Sequence, residues 1–234
     1  MGGASIDPSS QNLYVAVGNG FPETYGYSDR IVSLQSNLTP ISSNYPSGLT
    51  VDDSDFGATP ILFSAPSTGC SKSLLAAENK SGTLHVYDRN NIQGGQMQVL
   101  QVAPPTSAGQ FTGIPAFSPV TNYLYVSNPQ STGSYTNGMI AFQIKSDCTL
   151  TPAWQTTAGP NGNGGDDPYS PPTVANGVVY MADGLSGDLF AFNAQNGGSP
   201  LFSVSNLGNA FSPPIVVDGQ VYIATGNNLY AFGL

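Results

Sequence analysis

An all-β fold built from one repeated unit is what this sequence predicts, and three observations carry that expectation. Charged residues make up only 8% of the 234-residue chain while Gly (28) and Pro (19) are abundant. The Glu and Lys pairs that line exposed helix faces are therefore almost missing. Short apolar runs alternate in side-chain character and stop at Gly, Asn, Asp or Pro, as strands do. The same order of runs then returns five times, which is the signature of a repeat architecture.

The first run of the unit is "ASID" at 4–7, then "TPILF" at 59–63, "IPAFSP" at 114–119, "PPTVA" at 171–175 and "PPIVV" at 213–217. Tight turns such as "ANG" at 175–177 and "VDG" at 217–219 end it, so a hairpin follows. The second run is "LYVAVGN", "LLAAEN", "LYVSNP", "VYMADG" and "VYIATG", with Tyr14, Tyr125, Tyr180 and Tyr222 in register and Leu75 taken as their counterpart in the second unit. The third run, "RIVSLQ", "TLHVYD", "MIAFQI", "DLFAFN" and "NLYAFG", alternates as a strand packed between layers does. An outer fourth run, "TPISSN", "MQVLQV", "TPAWQT" and "PLFSVS", is expected in the first four units and is missing from the fifth.

Four strands per unit of about 40 to 57 residues is the pattern of a β-propeller. A barrel would not regenerate the same loop rhythm, and a sandwich has no reason for five near-copies. The expected fold is a β-propeller of about five four-stranded blades, the last lacking its outer strand. One domain over 1–234 is expected, with repeats near 3–54, 55–110, 111–165, 166–208 and 209–234.

The stretches "GGASIDPSSQNLYVAVGNG", "DSDFGATPILF", "LLAAENKSGTLHVYDRNN" and "LYAFGL" resemble the repeats of the quinoprotein alcohol dehydrogenase-like superfamily, the pyrroloquinoline quinone (PQQ)-type propellers. The resemblance runs over nearly the whole chain. Such propellers usually have seven or eight blades, which leaves open that these five are part of a larger one. The resemblance implies either a PQQ-dependent alcohol or polymer-alcohol dehydrogenase or a non-catalytic binding or scaffold propeller, since both kinds use this repeat.

In a propeller, the entries to first strands and the exits from second strands share one face, the binding funnel. Those positions hold Asp55, Phe56, Tyr169, Ser170, Phe211 and Ser212 at entries, and Glu78, Asn79, Asn128, Asp183, Thr225 and Asn227 at exits. This acidic, amide-rich mouth suits a small molecule, a glycan or a protein segment. Glu78 and Asp183 are the candidate catalytic acids for a carbohydrate-active five-bladed propeller, and polar residues closing turns are the other reading of them. Asp53, Asp55, Asp166 and Asp167 in "DDSDFG" and "GGDDPYS" are candidate ligands for a hard cation. They match no EF-hand loop, and Asp and Gly are equally ordinary turn residues.

The family's cofactor chemistry needs PQQ between a Trp platform and a vicinal disulfide, with Ca²⁺ or a lanthanide as Lewis acid beside an Asp. Here Trp154 falls in an outer run and Cys70 and Cys148 are far apart. PQQ and Ca²⁺ therefore stand as implications of the resemblance alone. His85, the only histidine, fills a slot where other units carry Ile140, Phe190 and Tyr230. A packed structural role is expected of it, and with that a Ser-His-Asp triad is set aside.

In the blade reading, Cys70 and Cys148 lie in turns on the face opposite the funnel, in neighbouring units. They form an inter-blade disulfide or stand as two separate buried thiols. A bridge would go with an oxidising compartment. The formal charge is −9, with five basic residues, Arg30, Lys72, Lys80, Arg89 and Lys145, scattered along the chain. No patch can neutralise a phosphate backbone, so nucleic acid is not an expected partner. No run approaches the length of a membrane span, and "MGGASIDPSS" has no signal-peptide pattern. The low charge and Ser/Thr/Asn-rich surface nonetheless suggest a secreted or periplasmic protein whose signal lies outside this chain. An oligomer joined through exposed edge strands is a further expectation.

Overall fold

The computed structural model describes residues 2–20, 26–47, 56–105, 113–157 and 168–233. The described residues form nineteen strands in five antiparallel sheets. Sheet 1 holds β1 (Ala4–Ile6), β2 (Leu13–Ala16), β3 (Ile31–Leu34) and β4 (Pro40–Asn44). Sheet 2 holds β5 (Ile61–Ser64), β6 (Ser73–Glu78), β7 (Thr83–Asp88) and β8 (Gln96–Gln101). Sheet 3 holds β9 (Ala116–Ser118), β10 (Tyr123–Asn128), β11 (Gly138–Ile144) and β12 (Leu150–Thr156). Sheet 4 holds β13 (Thr173–Ala175), β14 (Val178–Ala182), β15 (Leu189–Asn193) and β16 (Gly197–Val204). Sheet 5 has three strands, β17 (Ile215–Val217), β18 (Gln220–Ala224) and β19 (Leu229–Gly233). Each sheet is a meander in chain order, so the fold is a β-propeller of about five blades with a three-stranded last blade.

The hairpins form where the sequence places them. Asn176 and Gly177 both have positive φ (50° and 76°), as do Asp218 and Gly219 (49° and 72°). These are the two-residue turns whose twist matches that of the flanking strands.

By packing, the chain divides into two compact units. One comprises residues 1–114 and 145–149, the other residues 115–144 and 150–234. In the first unit, Tyr14, Ala16 and Ile31 of sheet 1 pack on Leu75, Ala77 and Tyr87 of sheet 2, with Phe56 and Ile92. The Tyr87 hydroxyl donates to Asn44 Oδ1 at 3.2 Å, so its polar tip is satisfied inside this layer. Cys70 and Cys148 are bonded to each other, with Cα atoms 4.9 Å apart and 78 residues between them in sequence. The hairpin tip at 145–149 is thereby tied to the β5–β6 connection.

The second unit has two such layers. Tyr125, Met139 and Ala141 of sheet 3 receive Val179, Met181, Phe190 and Phe192 of sheet 4. On its other face, sheet 4 presents Tyr180, Ala182, Leu189 and Ala191, which receive Val221, Ile223, Tyr230 and Phe232 of sheet 5. Burying one Leu or Phe stabilises by about 1.5 to 3 kcal/mol, so these layers hold the unit together. Trp154 in the outer strand β12 lies 6.0 Å from the Tyr125 ring, and its Nε1 donates to the Ala194 carbonyl at 3.0 Å. A Cβ on Gly197 (φ 62°) would stand 2.5 Å from the indole. Only glycine lets the β15–β16 hairpin lie that close.

The pairing register corrects one alignment. Tyr180 pairs with Thr173, Tyr222 with Ile215, Tyr125 with Ala116 and Tyr14 with Ser5. In sheet 2 the residue at that place is Ala76, opposite Ile61, and Leu75 is one position earlier. The run "LLAAEN" has no aromatic to mark its phase. A one-residue slip moves every side chain to the other face.

Candidate functional site

With the register corrected, Asn79, Asn128, Asp183 and Thr225 are equivalent positions: Asn128 ends β10, and the other three directly follow β6, β14 and β18. All four close turns. Asp183 Oδ1 accepts from the Leu185 and Ser186 N–H groups at 2.9 and 2.8 Å, while its carbonyl accepts from the Gly187 N–H at 2.9 Å. Asn79 Oδ1 accepts from Ser81 Oγ at 2.8 Å and the Thr83 N–H at 3.1 Å. Asn128 Nδ2 donates to the Thr136 carbonyl at 2.8 Å. The Thr225 N–H donates to the Asn228 carbonyl at 2.8 Å. Short polar side chains at such places satisfy backbone groups that the hairpin leaves over.

Glu78 belongs to a different set. It pairs with Leu84 at the end of β6 and so matches Ala16, Ser127, Ala182 and Ala224. A carboxyl here replaces a small side chain. Glu78 is 2% exposed, and its Oε1 has no hydrogen-bond partner among the described residues. Burial pushes its pKa well above the usual carboxylate range, because desolvation disfavours the charged form. The neighbouring Asn79 Nδ2 is also buried without a hydrogen-bond partner among the described residues. Sequence reasoning grouped Glu78 with Asp183 as one acid pair; the two occupy inequivalent positions, and Asp183 Oδ1 is already engaged.

At the first-strand entries, Phe56 is buried and meets the His85 ring edge-on, with centroids 5.6 Å apart. His85 Nδ1 lies 3.2 Å from Gln96 Nε2, and burial pushes its pKa down to about 4. The ring is neutral at pH 7, and Gln96 donates to Nδ1. That places the ring proton on Nε2, which is buried without a hydrogen-bond partner among the described residues. In the second unit, Tyr169 forms an isolated bridge with Asp183. Ser170 is fully buried, its Oγ accepting from the Ala182 N–H at 2.9 Å. Phe211 is exposed and lies close over Gly184, where a Cβ would stand 3.0 Å from its ring. Ser212 is exposed.

The expected mouth residues therefore fall into groups. Phe56, Glu78 and Asn79 lie in the first unit; Asn128, Tyr169, Asp183, Phe211, Thr225 and Asn227 lie in the second. Asp53, Asp55, Asp166 and Asp167 fall outside the described residues. Thr225 and Asn227 share an open polar cleft of about 280 Å³ with Asn206, Asn209, Asn228 and Tyr230. Sequence reasoning missed Asn206 and Asn209, which precede β17 in the fifth unit. Their signal was the cluster "NLGNA" in a connection that the other units build differently.

The described residues do not fit the family's quinone site. Trp154 is engaged by Tyr125, Gly197 and the Ala194 carbonyl, and the two cysteines are joined across 78 residues. Among the described residues no three His, Cys, Asp or Glu side chains are grouped to hold a metal.

No protein-family profile and no curated protein matches the chain. Solved structures do match it. BamB from Moraxella catarrhalis is 15% identical over 99% of this chain and 56% of that one, with a TM-score of 0.62. A europium-containing methanol dehydrogenase is 17% identical over 95% of this chain and 50% of that one, with a TM-score of 0.63. Sqt1 from Saccharomyces cerevisiae, only 12% identical, covers 97% of this chain and 57% of that one with a TM-score of 0.68. The chain thus spans about half the length of the structures it matches. An enzyme and proteins with quite different names superpose equally well, so this likeness speaks to fold and not to activity. What these matches share with the chain is the β-propeller fold.

Proposed function

We propose that this chain is a single propeller domain of an exported protein, serving as a binding or scaffold module rather than as a self-sufficient enzyme. The observation that carries the reading is the amide-lined cleft of the second unit, where Asn206, Asn209, Thr225, Asn227, Asn228 and Tyr230 surround about 280 Å³. Primary amides and hydroxyls offer donors and acceptors together. They suit a hydroxyl-rich glycan or the backbone of a protein segment. The Cys70–Cys148 bridge supports an oxidising compartment. The free side of β19, which pairs only with β18 among the described residues, supports association with a second chain through strand pairing.

A screen of oligosaccharides and unstructured peptides by calorimetry tests this. A ligand should bind the wild-type chain and lose about tenfold or more in affinity, some 1.4 kcal/mol, in the Asn209→Ala/Asn227→Ala double variant. Absence of any ligand, or one indifferent to that variant, counts against the cleft.

Likeness to quinohemoprotein alcohol dehydrogenase and methanol dehydrogenase supports a second reading, a divergent PQQ-dependent oxidoreductase acting on an alcohol or polymer alcohol. Incubation with PQQ and Ca²⁺ followed by dye-linked alcohol oxidation decides it. Turnover supports the enzyme; no quinone absorbance and no thermal shift argue against it.

A further inference from the structure

Sheet 4 receives sheet 5 on a face made of Tyr180, Ala182, Leu189 and Ala191, which are 4%, 0%, 1% and 4% exposed. The pairing register gives each an equivalent in sheet 5, namely Tyr222, Ala224, Leu229 and Ala231. The types are the same at every position. On sheet 5 this face is open: Leu229 is 69% exposed, Ala224 and Ala231 are exposed and Tyr222 is half-buried. Ile215 on the same face is 60% exposed. The face carries no charged side chain, and a contiguous exposed apolar surface of this kind marks an interface.

What fits it is written in the layer beneath. The side chains that sheet 5 lays on sheet 4 are Val216, Val221, Ile223, Tyr230 and Phe232. Their equivalents in sheet 1 are Ile6, Leu13, Val15, Val32 and Leu34, all apolar. Ile6 is 61% exposed, Leu13, Val15 and Leu34 are half-buried, and Val32 is buried at 3%. The chain therefore carries both an open receiving face and a partly open inserting face.

We propose that sheet 5 of one copy receives sheet 1 of a second copy, continuing the layer packing seen between sheets 4 and 5. The contact uses two different patches, so it is heterologous; copies add head to tail until a ring closes or a chain runs on. It is independent of the ligand cleft, whose Asn and Thr side chains lie in the turn after β18 and in the connection before β17 and not on this face. It also differs from strand pairing at β19, which would not involve the side chains of Leu229 or Ile6.

Light-scattering mass measurements over a dilution series test it. Wild-type chain should reach at least twice its 24.2 kDa mass at high concentration and fall toward it on dilution. Leu229→Asp and Ile6→Asp each spoil one face, and each variant alone should stay monomeric with an unchanged melting profile. An equimolar mixture of the two retains one good face on each partner. It should give a one-to-one pair and nothing larger.

A wild-type chain that is monomeric at its highest soluble concentration overturns the proposal, as does association that survives both substitutions or a mixture that stays monomeric. The wild-type mass needs no variant, so a substitution that impairs folding leaves the test intact. Glycan and peptide binding should be the same in Leu229→Asp as in wild type; loss of ligand binding with normal assembly would count against the cleft alone.

Discussion

Sheets 4 and 5 carry nearly the same side chains in the same register, yet Leu189 is 1% exposed and its equivalent Leu229 is 69% exposed. Residue type therefore does not set burial here; the presence of a following layer does. A blade of this fold is a sheet with two apolar faces, and it is complete only when both are covered. The same contrast runs along the outer strands. Trp154 of β12 is held by the Gly197 hairpin of the next sheet. Phe202, paired with Ala191 as Trp154 is with Ala141, lies 5.7 Å from the Phe232 ring and is 46% exposed. It borders an apolar groove of about 250 Å³ beside β19.

Substitutions can break this comparison, beginning with the covered outer strand. Trp154→Ala should cost about 3 kcal/mol, the low end for truncating a large aromatic because this one is only partly buried. Phe202→Ala should cost well under half of that in the same denaturant titration. Next, Cys70→Ser should lower the stability of the first unit by about 2 to 4 kcal/mol, since the bridge closes a long loop. Denaturation with and without reductant checks it, and the sheet 4–sheet 5 layer should be the less affected.

The smallest effects are pH-dependent and come from sheet 2, where two residues depart from the repeat. His85 has its pKa lowered to about 4 from an ordinary 6.5, so between those values the unfolded chain binds more protons. Its contribution to stability is whole above pH 6.5 and is lost as pH falls toward 4. Glu78 has its pKa raised, so the native state holds the extra proton, and stability is lost as pH rises through the folded value. His85→Phe should flatten the acid limb of a melting-temperature profile, and Glu78→Gln should remove the loss of stability that sets in as pH rises above the ordinary carboxylate range. Each restores a side chain that does not ionise in that slot.

The architecture was legible because its marks are local. Tyr14, Tyr125, Tyr180 and Tyr222 sit at one place in four of five units, and "ANG" and "VDG" specify their hairpins by backbone conformation. The second repeat was harder: Leu74, Leu75, Ala76 and Ala77 are all fully buried, so that strand has no polar face to reveal its phase. That uncertainty of one residue is what grouped Glu78 with the turn-closing Asn79, Asn128 and Asp183.

Four of the expected mouth residues, Asn79, Asn128, Asp183 and Thr225, close turns. Which of two adjacent polar residues closes a turn and which enters a layer depends on the partner strand, and the partner is nonlocal. The polar cleft was only half visible. Thr225 and Asn227 follow a strand, whereas Asn206 and Asn209 lie in a connection with no repeat to compare.

The most direct test of a covered and an uncovered copy of one face is a pair of Leu→Ala melts in dilute solution. Leu189→Ala should cost about 2 to 5 kcal/mol, as core truncations do. Leu229→Ala should stay within about 0.5 kcal/mol, as surface changes do. Equal losses at the two positions would contradict the account, because they would mean that sheet 5 is as fully covered in a single chain as sheet 4.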